Sequence, residues 1–349
     1  MENMDRLHVA GLRREELEIL FAELGWPRFR ARQLFHWIHH RAASDFTQMH
    51  NLPKAIVEYL AENYLSPLAL RLVLERRSID GTIKYLFELR DQHTIEAVYI
   101  PEDDRGTLCV SAQVGCAMNC SFCATGQSGY VRNLSPAEIV SQVNFVRSIL
   151  PQYGPGLTNI VFMGMGEPFA NFEAVMKAID IITDEEGFNL GQRRITISTC
   201  GLADKIREFA DLKSQVNLAV SLHAPDNERR TKMMPINKRF PIEELLDACR
   251  YYTYQTNRRI SFEYALIAGI NDSVQDAEQL AALLQGMLCH LNLIPVNPVT
   301  SFDRPSSEQV ERFQRILAAV GIPVSVRRER GTDIEAACGQ LRQVHRKNT

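Results

Sequence analysis

From residue 107 onward, runs of β-branched and apolar residues alternate with amphipathic stretches, strand then helix, six times over. The strand-like runs are TLCVSA (107–112), NIVFMG (159–164), RITIST (194–199), VNLAVSL (216–222), ISFEYAL (260–266) and LNLIPV (291–296). Helical periodicity separates them, and the first helix is the best marked: Ser135, Pro136 and Glu138 supply an N-cap, an N1 proline and a capping-box acid. The others run over 171–182, 202–210, 242–252, 276–285 and 307–321, and a last strand-like run, PVSVRR, follows at 323–328. Repeated βα units imply an α/β fold on a parallel sheet. Six units fall short of the eight of a closed barrel, so the expectation is a partial (β/α)6 barrel with its chemistry at the C-terminal strand ends.

The first part of the chain reads differently. REELEILFAELG (14–25), RARQLFHWIHHR (30–41) and PKAIVEYLAENYL (53–65) have apolar residues at helical spacing. LALRLVLE (68–75), TIKYLFELR (82–90) and TIEAVYI (94–100) are β-rich. The expected organisation is therefore a small helical module over 1–65, a β-rich connector over 66–106 and the barrel over 107–349.

No apolar run approaches the roughly 20 residues that span a bilayer, and MENMDRLHVAGLRREELE is too charged for a signal peptide, so a cytoplasmic protein is expected. In that compartment clustered cysteines read as metal or redox chemistry before structural disulfides. A net charge of −3 does not advertise a nucleic-acid partner. Three locally basic stretches, 27–41, 227–240 and 325–331, are nonetheless compatible with RNA, although each could equally be a solvated face.

Four of the eight cysteines fall within CVSAQVGCAMNCSFCATG (109–126). Cys116, Cys120 and Cys123 are spaced C-x3-C-x2-C. Three thiolates that close can hold three corners of a [4Fe–4S] cubane, which normally takes four cysteines, and leave one iron open to a ligand. The alternative is zinc with Cys109 as fourth ligand, but structural zinc prefers paired knuckles separated by a longer loop. Cys200, Cys249 and Cys289 have no motif partners and read as small packing residues.

With Phe122 in its aromatic position, this motif resembles the cluster motif of the radical S-adenosylmethionine (SAM) enzymes, and it follows the first barrel strand as in that family. The longer string resembles one branch, the RlmN and Cfr RNA adenine methyltransferases. VYIPEDDRGTLCVSAQVGC, FMGMGEP, ISTCG, VSLHAP, MPINKR, NLIPVNP and RGTDIEAACGQL extend the likeness, in order, over essentially the whole chain from about residue 10, and it is closer to the RlmN side.

The resemblance implies a [4Fe–4S] cluster on Cys116, Cys120 and Cys123, and SAM contacts from Gly166, Glu167, Ser198, Ser221, Leu222, His223 and Asn297. The strand reading independently puts these polar positions at C-terminal strand ends, where a cofactor is gripped. It further implies that Cys338 carries a methyl group. Adenine C2 is not nucleophilic, so direct transfer from a sulfonium is closed, and the family's route is covalent. One SAM methylates Cys338, and a second is cleaved to a radical that activates the methyl for addition to the ring. Cys109 then attacks the Cys338 sulfur, releasing the base and leaving a transient disulfide. Glu96, or else Cys109, takes the C2 proton.

The implied substrates are an adenosine of 23S rRNA at the peptidyl-transferase centre and an adenosine beside the tRNA anticodon, unstacked to reach the barrel mouth. GWPRFRARQLFHWI resembles the family's accessory RNA-binding module. The implied electron donor is of flavodoxin or ferredoxin type, and nothing in the sequence calls for more than a monomer. Two rivals stand beside this reading: methylation of adenine C8 with the same cysteines, and a non-catalytic iron–sulfur or zinc RNA-binding protein.

Overall fold

The computed structural model describes residues 7–150, 156–296, 302–327, 330–336 and 339–341. Helices α1 (Arg14–Glu23), α2 (Arg28–Phe35) and α3 (Lys54–Asn63) form the N-terminal module, with a π-helical turn at His36–His40 prolonging α2. Pro53 caps the start of α3, where its missing N–H costs nothing, and Gly25 ends the α1 segment at φ +74°. The module's apolar stripe, with Leu17, Phe21, Leu34 and Phe35 fully buried, joins the core of the rest of the chain. Polar ties sit at its edge: Lys177 pairs with Glu16 at 2.8 Å and Arg13 with Asp180 at 2.7 Å.

Strands β1 (Leu70–Arg77), β2 (Ile83–Leu89) and β3 (Thr94–Glu102) form an antiparallel meander, and β3 pairs antiparallel with β4 (Arg105–Cys109). β5 (Gln113–Gly115) and β6 (Tyr130–Asn133) make a separate ribbon around the four-residue helix α4 (Ala124–Gln127). Thereafter strand and helix alternate: α5 (Pro136–Ile149), β7 (Leu157–Phe162), α6 (Phe172–Thr183), β8 (Ile195–Thr199), α7 (Ala203–Asp211) and β9 (Asn217–Ser221). Then come α8 (Asn227–Met233), α9 (Ile242–Thr256), β10 (Ile260–Leu266), α10 (Val274–Leu284), β11 (Cys289–Pro295), α11 (Ser307–Ala319) and β12 (Val324–Val326).

The main sheet has ten strands in the order β1-β2-β3-β4-β7-β8-β9-β10-β11-β12. Every pairing from β4 to β12 is parallel, which gives six crossovers through helices and a sheet whose two outer strands, β1 and β12, do not pair. This is the α/β partial barrel with a helical N-terminal module that the sequence rhythm implies. The first crossover helix starts as expected, with Ser135 Oγ accepting from Glu138 N–H and Glu138 accepting from Ser135 N–H at 2.8 Å.

The structure adds three elements that the sequence reading lacks: the β5–β6 ribbon, α4 and α8. All three are too short or too polar to show a hydrophobic period.

Candidate active site

The cysteine loop, residues 116–129, is pinched shut at its base. Cys116 N–H donates to Gly129 O at 2.8 Å, and a Cβ on Gly115 would stand 1.9 Å from that same oxygen. Gly115, at φ +72°, is therefore required by both conformation and space. A tight turn, Cys123 N–H to Cys120 O at 3.1 Å, brings the second and third cysteines round.

Cys116, Cys120 and Cys123 all line one cavity of about 180 Å³ at the C-terminal ends of the parallel strands. Gly166, Glu167, Ser198, Ser221 and His223 line the same cavity. Leu222 does not. Its side chain is buried, and it serves through its backbone, donating to Glu263 O at 3.0 Å and accepting from Arg230 at 3.2 Å. Asn297 and Cys338 lie outside the described residues.

Gly166, at φ +99°, lies where a Cβ would come within 2.4 Å of Gln113 Cβ, and Gln113 Oε1 accepts the Glu167 N–H at 2.8 Å. The Glu167 carboxylate accepts from Phe169 N–H at 3.0 Å and Cys200 N–H at 2.7 Å, bracing the loop after β7 to the end of β8. Burial raises its pKa against those hydrogen bonds. His223 adopts φ +58°, and its Nδ1 accepts Ala265 N–H at 2.8 Å, so the proton of the neutral ring belongs on Nε2. Burial holds its pKa down to about 3, and the Phe122 ring meets it edge-on at 4.7 Å. Such a ring donates a hydrogen bond and does not titrate near neutrality.

The three thiols fit an iron–sulfur cluster. Burial pushes Cys116 up to about 12 and raises Cys120 too, with neighbouring thiols and Glu167 adding to the shift, so these two thiolates need a cationic group beside them. Among the described residues no three His, Cys, Asp or Glu side chains converge enough to hold a single metal ion. Three thiols on one cavity suit a cubane, whose irons sit at separate corners, whereas Cys109, the fourth thiol zinc would need, lines a different cavity.

A second cavity of about 410 Å³ adjoins the first and shares Met163, Ile294 and Arg327 with it. Cys109, at the end of β4, lines this second cavity together with Arg105, Arg330, Asn292 and Ser325. Glu96 stands on β3 in a buried ion pair with Lys84, Nζ to Oε1 3.2 Å, and the same Nζ donates to Glu335 O at 3.1 Å. Gly339 O accepts Ala124 N–H at 2.7 Å, right after Cys123, so the described residues on both sides of position 338 are tied to the site.

Sequence reasoning missed Glu263 and Arg230. Glu263 lines the first cavity and accepts from Asn292 at 2.8 Å; its signal was an acid in mid-strand within ISFEYAL. Cys200, read as packing, lines the cavity and braces Glu167. The basic stretch 227–240 is largely engaged within the fold. Arg230 is buried, Arg229 pairs with Asp226 and Asp276, Lys232 with Glu228 and Arg239 with Asp204, leaving Lys238 as the one basic side chain facing outward without an ion pair among the described residues of this stretch. In the stretch 27–41, exposed Arg28 and Arg41 have no ion pair among the described residues, and Phe29 is 54% exposed. In 325–331, Arg327 and Arg330 line the second cavity.

Residues 110–284 match the family model described as Radical SAM superfamily, and residues 7–65 match that of the ribosomal RNA large subunit methyltransferase N-terminal domain. A relative from Desulfitobacterium hafniense (strain DSM 10664 / DCB-2), named "Probable dual-specificity RNA methyltransferase RlmN", is 48% identical over 98% of each chain. One of the same name from Thermoanaerobacter sp. (strain X514) is 50% identical over 95% of this chain and 97% of its own. A crystal structure of a radical SAM methyltransferase from Sphaerobacter thermophilus superposes with a TM-score of 0.93 at 51% identity, covering 96% of this chain and 99% of that one.

Proposed function

The chain belongs to the RlmN family of radical SAM RNA methyltransferases, and from that membership we propose that it methylates C2 of adenine in 23S rRNA and in tRNA. The observation that carries the reading is the pair of adjoining cavities: three cluster-type thiols and the strand-end polar groups line one, and Cys109 lines the other across the shared Met163, Ile294 and Arg327.

Cys116, Cys120 and Cys123 would hold a [4Fe–4S] cluster, and Gly166, Glu167, Ser198, Ser221, Leu222, His223 and Asn297 would contact SAM. Once bound, the cluster and SAM, used twice per turnover, supply the one-electron chemistry that activates a methyl group toward an unreactive aromatic carbon. The chain's own residues do the rest. Neutral His223 presents a donor and no charge. Cys338 carries the methyl group and becomes joined through it to the base. Glu96, held by Lys84, or else Cys109, accepts the proton from C2. Cys109 then attacks the Cys338 sulfur. An S–S bond forms as the S–C bond breaks, its electron pair leaves with the methylene carbon, and that carbon takes up a proton to become the methyl group.

RNA is met at two surfaces. Arg105, Arg327 and Arg330 at the second cavity suit the phosphates flanking an unstacked base. Arg28 and exposed Phe29 on α2 suit backbone contact and stacking. The electron donor would be a flavodoxin or ferredoxin type, and the enzyme a cytoplasmic monomer. No helix of the described residues is long and apolar enough to cross a membrane.

The test is nucleoside analysis after anaerobic reaction with SAM, reductant and protein-free 23S rRNA, and separately with tRNA. 2-Methyladenosine from both RNAs is expected. 8-Methyladenosine would overturn the regiochemistry, and no methylated base from a cluster-loaded enzyme would overturn the substrate assignment.

A further inference from the structure

Arg230, on α8, is among the largest of the fully buried side chains of the described residues. Its guanidinium donates to Cys200 O at 2.8 Å, Ser221 O at 3.2 Å, Leu222 O at 3.2 Å, Phe240 O at 3.4 Å and Asn237 Oδ1 at 2.9 Å. Every one of these acceptors is neutral, and no ion pair of the described residues involves Arg230. Hydrogen bonds satisfy its donors but leave its charge uncompensated, and an unpaired buried charge is costly. Space is nevertheless made for it. A Cβ on Gly201 would come within 2.9 Å of Nη2, at a residue with φ +107°.

The position of this cation indicates where its counter-charge belongs. Cys200 and Ser221, whose carbonyls it grips, line the thiol cavity at the ends of β8 and β9. The helix that carries it is braced on the cysteine loop, because Met233 O accepts the N–H of Ser121, between Cys120 and Cys123, at 2.9 Å. Met234, one residue on, lines the cavity itself. A cluster held by three thiolates is a net anion and gains another negative charge on reduction.

We propose that Arg230 is the buried counter-charge of the cluster, a positioning residue that favours the reduced form and so holds the reduction potential up. The inference rests on the reading that Cys116, Cys120 and Cys123 hold a cluster. A fixed positive charge in a low-dielectric surrounding stabilises the more negative oxidation state, so its removal must lower the potential.

The test is redox titration of the reconstituted holoenzyme, followed by the electron paramagnetic resonance of the reduced cluster, with iron and sulfide measured in each sample. Arg230→Met removes the charge at similar length, and Arg230→Lys keeps the charge but loses the fork. The expected result is a lower midpoint in Arg230→Met and a midpoint near that of the parent in Arg230→Lys. Equal midpoints in the parent and Arg230→Met would overturn the proposal, as would equal downward shifts in both variants, which would assign the effect to lost hydrogen bonds. If Arg230→Met does not fold, Arg230→Gln, which retains a planar amide for the Cys200 and Ser221 carbonyls, carries the same comparison. A parent chain that binds no iron and sulfide would overturn the cluster reading and the inference with it, whereas a loaded parent with unchanged variant potentials sinks the inference alone.

Discussion

Lys84 and Glu96 form an ion pair that is almost completely closed to solvent, with side chains 8% and 4% exposed. They sit diagonally on neighbouring strands, Lys84 opposite Val98 and Glu96 opposite Leu86, and the Lys84 ammonium also holds Glu335 O. Removing one partner strands the other charge. Lys84→Met should cost about 3–5 kcal/mol in urea unfolding, and the double substitution Lys84→Met/Glu96→Met should recover most of it. Glu96→Gln should stay folded and still accept a methyl on Cys338 while losing most base methylation. Base methylation at the parental rate in that variant would hand the proton-accepting role to Cys109.

Gly166→Ala tests the loop after β7. The new methyl would meet Gln113, whose amide oxygen fixes Glu167. Strain at φ +99° contributes about 1–3 kcal/mol of instability. Binding of S-adenosylhomocysteine, measured by calorimetry, should weaken by at least about tenfold, or about 1.4 kcal/mol. Undiminished binding would show that this loop does not contact the cofactor.

For Cys109→Ala, the expected outcome is a trapped intermediate. Without a thiol to attack the Cys338 sulfur, the enzyme should remain covalently joined to RNA after one turnover. The adduct would run as a shifted band on a denaturing gel that nuclease collapses. Multiple turnovers without an adduct would exclude Cys109 as the resolving thiol.

Stability should fall on the acid side. Burial holds both His39 and His223 down to about 3, from an ordinary 6.5. Between those values the unfolded chain binds protons that the folded chain refuses, so stability is full above pH 6.5 and is lost as pH falls toward 3. Each histidine contributes a slope approaching about 1.4 kcal/mol per pH unit. His39→Leu, in the N-terminal module and lining neither cavity, should flatten the slope between pH 4.5 and 6.5 by about that amount and leave the slope above pH 7 unchanged. An unaltered slope would mean that His39 is protonated in the folded state.

What the sequence determined by itself was whatever is written in local pattern. The six strand–helix units were legible because a buried parallel strand must be apolar throughout and its covering helix must be apolar on one face. ISFEYAL runs over the same residues as β10, and the Ser135–Pro136–Glu138 cap marks the start of α5 to the residue. The C-x3-C-x2-C spacing gave the three thiols because a short loop cannot separate them widely. Only the tertiary structure decided which distant residues share a wall. Glu263 and Cys200 share the thiol cavity because the parallel sheet brings β8 and β10, on either side of β9, against it, and Arg230 reaches the Cys200 carbonyl from α8. The charges of 227–240 looked like a surface patch because sequence does not reveal partners as remote as Asp276 and Asp204, or that Arg230 turns inward. Charge is a property of a residue, whereas whether it faces water, a partner or a cavity depends on what the fold packs against it.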